Sequence, residues 1–272
     1  MDLVGALLWR VVGPINRPLM ARLLWARERR AGDLELALVD HLVKRGDVAL
    51  DIGANFGQFT YRLAHLVGPD GHVHAIEPHP AQREKLRTIE SKRANVTFHA
   101  VALSDRPGTA EMTVPLVDGE PDLALATLAE RDTAAGAAQQ VAVPTETLDR
   151  LLAGRERPVD FVKCDVEGHE RAALEGAAEL LGTDRPTLLI EIEQRHQEGD
   201  ITETFAFLGD LGYEGHALRG DALGPLAEFD VERDQLAYVR ADPDAAVMPR
   251  GYVNDFLFVH RDRAVDLSGV RP

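Results

Sequence analysis

The stretch Val48–Gln58 reads V-A-L-D-I-G-A-N-F-G-Q, and it decides the fold. Its first five residues are apolar except for Asp51, as in a parallel strand that is covered on both faces. Gly53 and Gly57 allow the backbone to approach a ligand where a side chain would clash. We therefore predict a buried strand, a ligand-binding turn and then a helix.

A second apolar strand is predicted at His72–Ile76, and Glu77 follows it directly. The spacing between the first glycine turn and Glu77 is that of one strand-helix-strand unit. A carboxylate at this place can accept hydrogen bonds from both hydroxyls of a ribose. The two segments together indicate a pocket for a nucleoside cofactor.

The first turn departs from the dinucleotide-binding pattern, which needs three glycines so that a diphosphate can sit on the helix N-terminus. Asn55 replaces the middle glycine, and the carboxylate of Asp51 would repel a diphosphate but attract a cation. S-adenosylmethionine carries a sulfonium, an ammonium and a ribose, and it has no phosphate. The turn therefore favours this cofactor, and an NAD-type oxidoreductase is the alternative. A turn without any ligand is disfavoured, because Asp51 and Glu77 would then be nearly buried carboxylates without partners.

Strands and helices are predicted to alternate along the chain, which is typical of a doubly wound, mostly parallel α/β sheet with helices on both faces. The predicted domain spans residues 33–272. Asp33 is predicted to cap its first helix. The other predicted strands are 96–102, 158–165, 187–193, one that begins at Gly212-Tyr213, Gln235–Val239 and Asn254–His260. The other predicted helices are 59–67, 81–92, 147–152, 170–181 and 202–211.

An insertion interrupts this alternation at about residues 109–143. Thr109–Val114 and Gln140–Val143 are predicted to be paired strands, and the connection 118–139 between them is long. A connection of this length is usually a lid, a specificity loop or a disordered excursion.

Residues 1–32 differ from the rest of the chain, because they contain six arginines, both tryptophans and only two acidic residues. Pro14 and Pro18 divide the segment into two short helical pieces. One interpretation is a basic amphipathic arm that contacts a membrane surface or a lipid-linked substrate. The alternative is an arm that packs on its own domain or on a second subunit in a homodimer.

The composition narrows the class of protein. A formal net charge of −15 argues against nucleic acid as the main partner, since phosphate binding requires a basic surface. The single cysteine, Cys164, fits a reducing compartment, and the chain has no apolar stretch of membrane-spanning length. The N-terminus is a poor secretory signal. We therefore expect a cytoplasmic protein that acts on a small molecule.

The segment Asp165–Glu170, D-V-E-G-H-E, places three carboxylates and an imidazole within six residues. Methyl transfer to a hydroxyl requires a base that receives the proton, and Asp165, Glu167, His169 and His196 are the candidates. The alternative for Glu167 and Glu170 is that they only stabilise a helix N-terminus. Asp165 and Glu191 could also hold a divalent cation such as Mg²⁺, although no further ligand spacing supports this.

Several blocks of the sequence resemble the FkbM-type methyltransferases over residues 45–260. They are Asp51–Gln58, Glu77-Pro78, Ala102–Asp105, Thr147–Asp149, Val162–Glu170 and Ile190–Ile192. The resemblance implies a class I methyltransferase fold with a seven-stranded sheet whose last strands are reversed. It also implies an S-adenosylmethionine-dependent O-methyltransferase of sugar, polyketide or other natural-product hydroxyls, with S-adenosylhomocysteine as the product. A non-catalytic cofactor-binding scaffold protein is the alternative from another class.

The resemblance also assigns roles to residues. It puts Asp51, Gly53 and Gly57 around the methionine part of the cofactor, and Glu77 at the ribose. It puts Val101, Ala102 and Ser104 near the adenine, with Asp165 between the cofactor and the acceptor. The predicted cofactor site thus comprises Asp51, Gly53, Asn55, Gly57, Glu77, Pro78, Ala102, Ser104 and Asp165, and the predicted catalytic residues are Asp165, Glu167 and His196.

Overall fold

The structure is a computed structural model that describes residues 25–26, 33–117, 120–123, 126–129, 138–197, 199–242, 248–249, 251–268 and 270. Most of the predicted arm, residues 1–32, lies outside the described residues, as do its predicted contacts with a membrane or a second subunit. Within the arm, the buried Trp25 packs edge-on against Phe59, with ring centroids 5.3 Å apart. The described residues contain no helix that is long and apolar enough to cross a membrane.

The helices and strands alternate through the first part of the chain, as predicted. In chain order they are α1 (Leu34–Leu42), β1 (Val48–Ile52), α2 (Gln58–Val67), β2 (His72–Ile76), α3 (Arg83–Lys92), β3 (Val96–His99), β4 (Ala102–Leu103), β5 (Gly108–Val117), β6 (Glu120–Pro121), β7 (Ala138–Glu146), α4 (Leu148–Leu151), β8 (Phe161–Cys164), α5 (Glu170–Glu175), α6 (Ala178–Asp184), β9 (Thr187–Glu191), α7 (Thr202–Asp210), β10 (Tyr213–Arg219), β11 (Ala222–Pro225), α8 (Ala237–Ala241) and β12 (Asp255–His260). Short 3₁₀ turns occupy Pro80–Gln82, Gln194–His196 and Leu226–Glu228.

The main sheet has eight strands in the order β11-β10-β12-β9-β8-β1-β2-β3. Five consecutive strands of this sheet run parallel to one another, namely β3, β2, β1, β8 and β9. Strand β12 is antiparallel to both β9 and β10. This is the predicted doubly wound sheet with reversed late strands. The extra strand, β11, is a short edge strand that pairs with β10.

Both faces of this sheet are covered, which explains why β1 is buried along its whole length. Leu50 and Ile52 pack with residues of α4–α7, while Ala49 packs with residues of α1–α3 on the other face. The cap predicted at Asp33 is confirmed, since its carboxylate accepts a hydrogen bond from the Leu36 amide at 3.1 Å.

Two predicted elements are each divided in two. The strand predicted at 96–102 ends at His99, and Ala102–Leu103 pairs in the second sheet with β7. The helix predicted at 170–181 breaks between α5 and α6 at Gly176, where a Cβ would lie 2.0 Å from the Ser104 carbonyl oxygen. In each case a tertiary contact overrides a continuous local pattern.

The strand predicted at Gln235–Val239 is wrong, because the segment is helical. A π-helical turn, Glu232–Leu236, runs directly into α8. The buried Gln235 side chain donates hydrogen bonds to the carbonyls of Ile192 (2.8 Å) and Val253 (2.7 Å). The Gln235 side chain thereby satisfies two backbone carbonyls that a neighbouring strand would otherwise have satisfied. The sequence pattern does not reveal this role.

The insertion forms a second sheet in the order β4-β7-β5-β6. The predicted pairing of its two long strands is confirmed, with Ala110 opposite Val143 and Thr113 opposite Gln140. Of the connection 118–139, the structure describes 120–123, 126–129 and 138–139. Thr127 forms a bridge with Thr113, which places this part of the connection on the β5 ribbon.

Candidate active site

A cavity of about 590 Å³ lies at the carboxyl ends of β1, β2 and β8. Ligand sites of doubly wound sheets lie at this edge. Of the predicted site residues, those that line the cavity are Gly53, Asn55, Glu77, Pro78, Ala102, Asp165 and Glu167. Asp51, Gly57, Ser104 and His196 are not among the lining residues.

The turn after β1 is built by left-handed backbone conformations and close contacts. Gly53 has φ +80°, and a Cβ there would lie 1.7 Å from the carbonyl oxygen of Asp165. The amides of Gly53 and Ala54 both donate to the Ile76 carbonyl at 3.0 Å. Asn55 is also left-handed, with φ 47°. This geometry holds the turn between β2 and the loop after β8 and keeps it free of side-chain bulk.

Gly57 contributes to this turn from outside the cavity. It caps α2 with φ +89°, and a Cβ there would lie 2.4 Å from Cδ1 of Ile89. The glycine therefore allows α2 to begin against α3, and its predicted contact with the methionine part of the cofactor stays a prediction.

The carboxylate of Glu77 is fixed by two backbone amides. Oε2 accepts from the Asn55 amide at 2.9 Å, and Oε1 accepts from the His79 amide at 2.7 Å. Each carboxylate oxygen can accept a second hydrogen bond, so two hydroxyl donors of a ribose still have acceptors here. Burial raises the pKa of Glu77 to about 7, and the two amide donors oppose that rise. The residues present therefore fit a nucleoside cofactor.

Asp51 lies beneath the turn, where its carboxylate accepts a hydrogen bond from the hydroxyl of Thr60 on α2. Burial raises the pKa of Asp51 to about 6, and the Thr60 hydrogen bond and the Lys163 charge oppose the rise. The argument that Asp51 and Glu77 would lack partners without a ligand is therefore wrong, because each already has a donor. A direct contact between Asp51 and the cofactor stays a prediction.

Apolar side chains line the part of the cavity that was predicted to hold adenine. Pro78 and Ala102 lie here, with Val101 and Leu103 beside them. The insertion supplies a further apolar wall, which consists of Met112, Leu123, Ala126 and Leu128. The insertion thus reaches this cavity through residues that its sequence pattern does not mark. Ser104 lies behind the wall, with Oγ 3.0 Å from Nε2 of His169.

Acid and base groups meet where Asp165 and Glu167 line the cavity. Nδ1 of His196 lies 2.8 Å from Oε2 of Glu167, which joins the loop after β8 to the loop after β9. Glu167 has φ 55°, a conformation that is uncommon for a residue with a Cβ and often marks a functional position. Burial raises the pKa of the neighbouring Asp165 to about 7, although the charge of Lys163 opposes this rise.

The two loops are tied together by Glu170 and by close backbone packing. Glu170 accepts from the Gly168 amide and from Nε2 of Gln197, both at 2.9 Å. A Cβ at Gly168 would lie 2.2 Å from the carbonyl oxygen of His196. Glu170 therefore stabilises the turn at the start of α5, which is the structural role that we considered as the alternative to catalysis. The carboxylate of Glu167 instead faces His196.

Sequence reasoning missed Lys163, which lies beneath Asp165 and is 2% exposed. Its Nζ atom lies 2.7 Å from Oε1 of Glu35 on α1. The charges of Asp165, Glu191 and Asp255 also act on this ammonium. The signal was a lysine inside an otherwise apolar strand, whose side chain must enter one covered face.

Sequence reasoning also missed Glu193, which is the centre of a buried network of hydrogen bonds and an ion pair. Its carboxylate accepts from the Tyr252 hydroxyl and is paired with Arg195, with Oε1 3.1 Å from Nη2 of Arg195. Since Glu193 directly precedes the 3₁₀ turn that contains His196, this network holds the turn in place. Only the tertiary fold brings Tyr252 to this strand end.

In the described part of the chain, no group of three His, Cys, Asp or Glu side chains could hold a metal ion. Glu191, which was predicted as a cation ligand with Asp165, accepts a hydrogen bond from Nδ2 of Asn254 at 2.7 Å.

Three solved structures are similar to this chain at low identity. The FkbM methyltransferase from Methylobacillus flagellatus KT is 15% identical, with 78% of this chain and 43% of that chain covered and a TM-score of 0.47. Aeropyrum pernix fibrillarin in complex with natively bound S-adenosyl-L-methionine is 15% identical, with 80% and 68% covered and a TM-score of 0.41. An S-adenosylmethionine-dependent O-methyltransferase from Thermotoga maritima is 16% identical, with 85% and 66% covered and a TM-score of 0.41.

These structures do not bear on the activity of this chain, and the chain spans less than half the length of the Methylobacillus protein. No curated protein matches the chain significantly. The family model for the methyltransferase FkbM domain matches residues 51–214, which is more than half of the chain and includes both the glycine turn and the loop after β8. The chain therefore belongs to the FkbM methyltransferase family, whose cofactor is S-adenosylmethionine.

Proposed function

We propose that this protein transfers a methyl group from S-adenosylmethionine to a hydroxyl oxygen of a small molecule. The acceptor class that we propose is a sugar, or a glycosylated or polyketide natural product. The observation that carries the proposal is the contact of His196 with Glu167, because Glu167 and Glu77 line the same cavity and His196 lies directly behind Glu167. A hydroxyl, unlike a thiolate or an activated carbon, needs such a base to accept its proton at neutral pH.

The cofactor site consists of Glu77 for the ribose hydroxyls, the turn at Gly53 and Asn55 for the methionine part, and Pro78 and Ala102 for the adenine. When bound, S-adenosylmethionine supplies a sulfonium methyl group, whose bond to sulfur breaks as a bond to the acceptor oxygen forms. The chain's own residues hold the acceptor oxygen in line with that methyl group, and such placement provides much of the rate.

His196 is the proposed general base. When Nδ1 donates its proton to the carboxylate of Glu167, Nε2 carries the lone pair that receives the acceptor proton. The negative charge of Glu167 then stabilises the imidazolium that forms. Asp165 is the proposed hydrogen-bond acceptor that orients the hydroxyl, because it lines the cavity beside Glu167.

The lining of the cavity supports an acceptor with both polar and apolar parts. Asp165, Glu167 and His169 offer hydrogen-bonding groups, whereas Leu123 and Leu128 belong to the apolar wall of the insertion. Such a lining suits a hydroxylated molecule with a hydrocarbon surface, which sugars attached to an apolar skeleton and polyketides both provide.

Binding and transfer assays test the proposal in two steps. Calorimetry should show that the protein binds S-adenosylhomocysteine and not NADH. Incubation with methyl-labelled cofactor and a panel of hydroxylated sugars and polyketides should then label an acceptor, and the His196→Gln variant should abolish the labelling. The matched control is His41→Gln, which changes a histidine that contacts the Asp266 carbonyl far from the cavity.

Two results would contradict the proposal. Transfer of the label to nitrogen or carbon, with the product identified by mass spectrometry, would exclude O-methylation. Cofactor binding with no transfer to any acceptor, together with unchanged cellular function of the His196→Gln variant, would favour a non-catalytic cofactor-binding protein.

A further inference from the structure

A second cavity, of about 890 Å³, lies at the opposite edge of the main sheet, where β1, β2 and β3 begin. Its walls are the segment after α1, the end of α2 with the turn that follows it, and the end of α3. The cavity does not share a lining residue with the cofactor cavity. A ligand here would therefore bind independently of the methyl-transfer site.

The charge of this second cavity is opposite to that of the chain. Five of its eleven lining residues are basic, and among the described residues none of the lining side chains is acidic, although the net charge of the chain is −15. The five are Arg45, His65, His72, Lys92 and Arg93. The carboxylate of Asp70 reaches Arg45 at 4.0 Å, but both side chains are largely exposed and such pairs contribute little.

The basic residues could serve only to stabilise helix C-termini, since α2 and α3 both end at this cavity. The last carbonyls of α2, however, already have other donors. Nδ2 of Asn95 donates to the carbonyls of Ala64 and Gly68, both at 2.8 Å, and the Gly46 amide donates to the Val67 carbonyl at 2.8 Å. Capping of α2 therefore does not account for Arg45, whereas Lys92 lies in the last turn of α3 and also stabilises that helix end.

One guanidinium group is held in place at the cavity, and a second, largely exposed one contacts its wall. Arg45 packs against the backbone of Gly68, where a Cβ would lie 3.1 Å from its Nη1 atom. Arg93 stacks on the ring of Tyr61, with Cζ 4.5 Å from the ring centroid. Guanidinium groups that are placed in advance lose less side-chain entropy when they bind phosphate oxygens in a bidentate manner.

The surroundings of His72 disfavour its protonated form. Burial lowers the pKa of this imidazole, and the charge of Arg157, which donates to the carbonyls of Asp70 and Gly46, lowers it further. An anion that binds beside the imidazole would oppose both effects on its pKa.

We propose that the cavity between Arg45, Lys92 and Arg93 binds a small phosphorylated metabolite through its phosphate groups. Phosphate fits better than a single carboxylate, because several cations with fork-shaped donors match several phosphate oxygens. A free metabolite fits better than nucleic acid, because the strongly negative remainder of the chain repels a long polyanion. The site does not depend on the proposed O-methylation.

The test uses the full chain, saturated with S-adenosylhomocysteine so that the cofactor cavity is filled, and inorganic tripolyphosphate as the probe. Calorimetry at low ionic strength should show one binding site. The double variant Arg45→Gln/Lys92→Gln should weaken binding at least tenfold and should remove most of its salt dependence. Both side chains are exposed, so these substitutions should leave the melting temperature without the probe unchanged.

The matched control is Arg106→Gln, which removes an exposed arginine outside the cavity and should bind tripolyphosphate as the unmodified chain does. The absence of binding to the unmodified chain would overturn the proposal, as would equal affinity in the double variant. Binding to vesicles of anionic phospholipid or to short RNA through the same two residues, without binding of tripolyphosphate or a nucleoside triphosphate, would equally overturn it.

Discussion

Nδ1 of His196 lies 2.8 Å from Oε2 of Glu167, although the two residues follow different strands, β9 and β8. If His196 accepts the acceptor proton with the help of Glu167, the substitutions His196→Gln and Glu167→Gln should each lower turnover. The loss of general-base catalysis corresponds to about 10²–10⁴-fold. The dissociation constant of S-adenosylhomocysteine should stay the same, because neither group is assigned to the cofactor.

Turnover of the Glu167→Gln and His196→Gln variants is best compared with that of Glu203→Gln, which changes an exposed glutamate on α7. The double variant should be only slightly slower than the slower single variant, because the two side chains act as one unit. If the two losses multiplied, the pair would not act together, and unchanged turnover in either single variant would remove that residue from the mechanism.

Glu77 should control cofactor affinity. Replacing it with alanine removes the acceptors for both ribose hydroxyls, and each hydrogen bond to a charged group contributes about 1.5–3 kcal/mol. At about 1.4 kcal/mol for each factor of ten, loss of one such bond should raise the dissociation constant of S-adenosylhomocysteine by roughly 10- to 100-fold. Calorimetric titration measures this change.

The alanine variant also leaves the amides of Asn55 and His79 without their side-chain acceptor, so its fold must be checked by circular dichroism. Glu77→Gln serves as the second variant, because it keeps the shape and one acceptor oxygen. If both variants are folded and bind S-adenosylhomocysteine as the unmodified chain does, Glu77 does not hold the ribose.

The elements that could be predicted from the sequence are those with strong local signals. Strand β2 was predicted with its observed bounds, His72–Ile76. A glycine-rich turn precedes the strand, and Pro78 lies two residues after its end. The turn at Gly53 was predicted because two glycines, Gly53 and Gly57, follow a short apolar strand. The Asp165–Glu170 segment was singled out because it concentrates three carboxylates and an imidazole.

The contacts that could not be predicted join segments that are distant in the sequence. Nothing near Lys163 in the chain indicates that Glu35 will neutralise it, and nothing near Leu128 indicates that it lines the cofactor cavity. The hydrogen bond between the Asp51 carboxylate and Thr60, in the first turn of α2, was not foreseen either. Such pairings depend on which face of a strand is turned toward which helix, and the sequence pattern leaves that choice open.

Lys163 should be essential for stability because it is an almost fully buried cation. The substitution Lys163→Met leaves Glu35 next to the carboxylates of Asp165 and Asp255 without a cation, and breaking a buried pair costs about 3–5 kcal/mol. Urea denaturation should show this loss in the free energy of unfolding.

The double variant Lys163→Met/Glu35→Gln should recover part of this lost free energy, since the uncompensated charge of Glu35 is gone. A double variant that is as unstable as the sum of both single variants would show that the pair is not coupled.

The pH dependence of stability should reveal the buried carboxyl group of Glu170. Burial raises its pKa from 4.5 to about 7 in the folded chain, while the amide donors at this helix start oppose the rise. Between these two values the unfolded chain has lost the proton and the folded chain has kept it, so the contribution of Glu170 to stability falls as the pH rises through this window. At about 1.4 kcal/mol per pKa unit, the full change is on the order of 3 kcal/mol.

Glu170→Gln removes this titration and keeps an oxygen that can accept from the Gly168 amide. The free energy of unfolding of the variant, relative to that of the unmodified chain, should therefore rise between pH 4.5 and pH 7 and then become constant. Asp51 and Glu77 also have raised pKa values, but neither is among the groups that act on Glu170, so they titrate alike in both proteins and cancel in the difference. Glu175→Gln, on the exposed side of the same helix, should give a difference that does not vary in this window. A constant difference for Glu170→Gln as well, measured by urea denaturation at each pH, would show that Glu170 is ionised in the folded chain throughout this range.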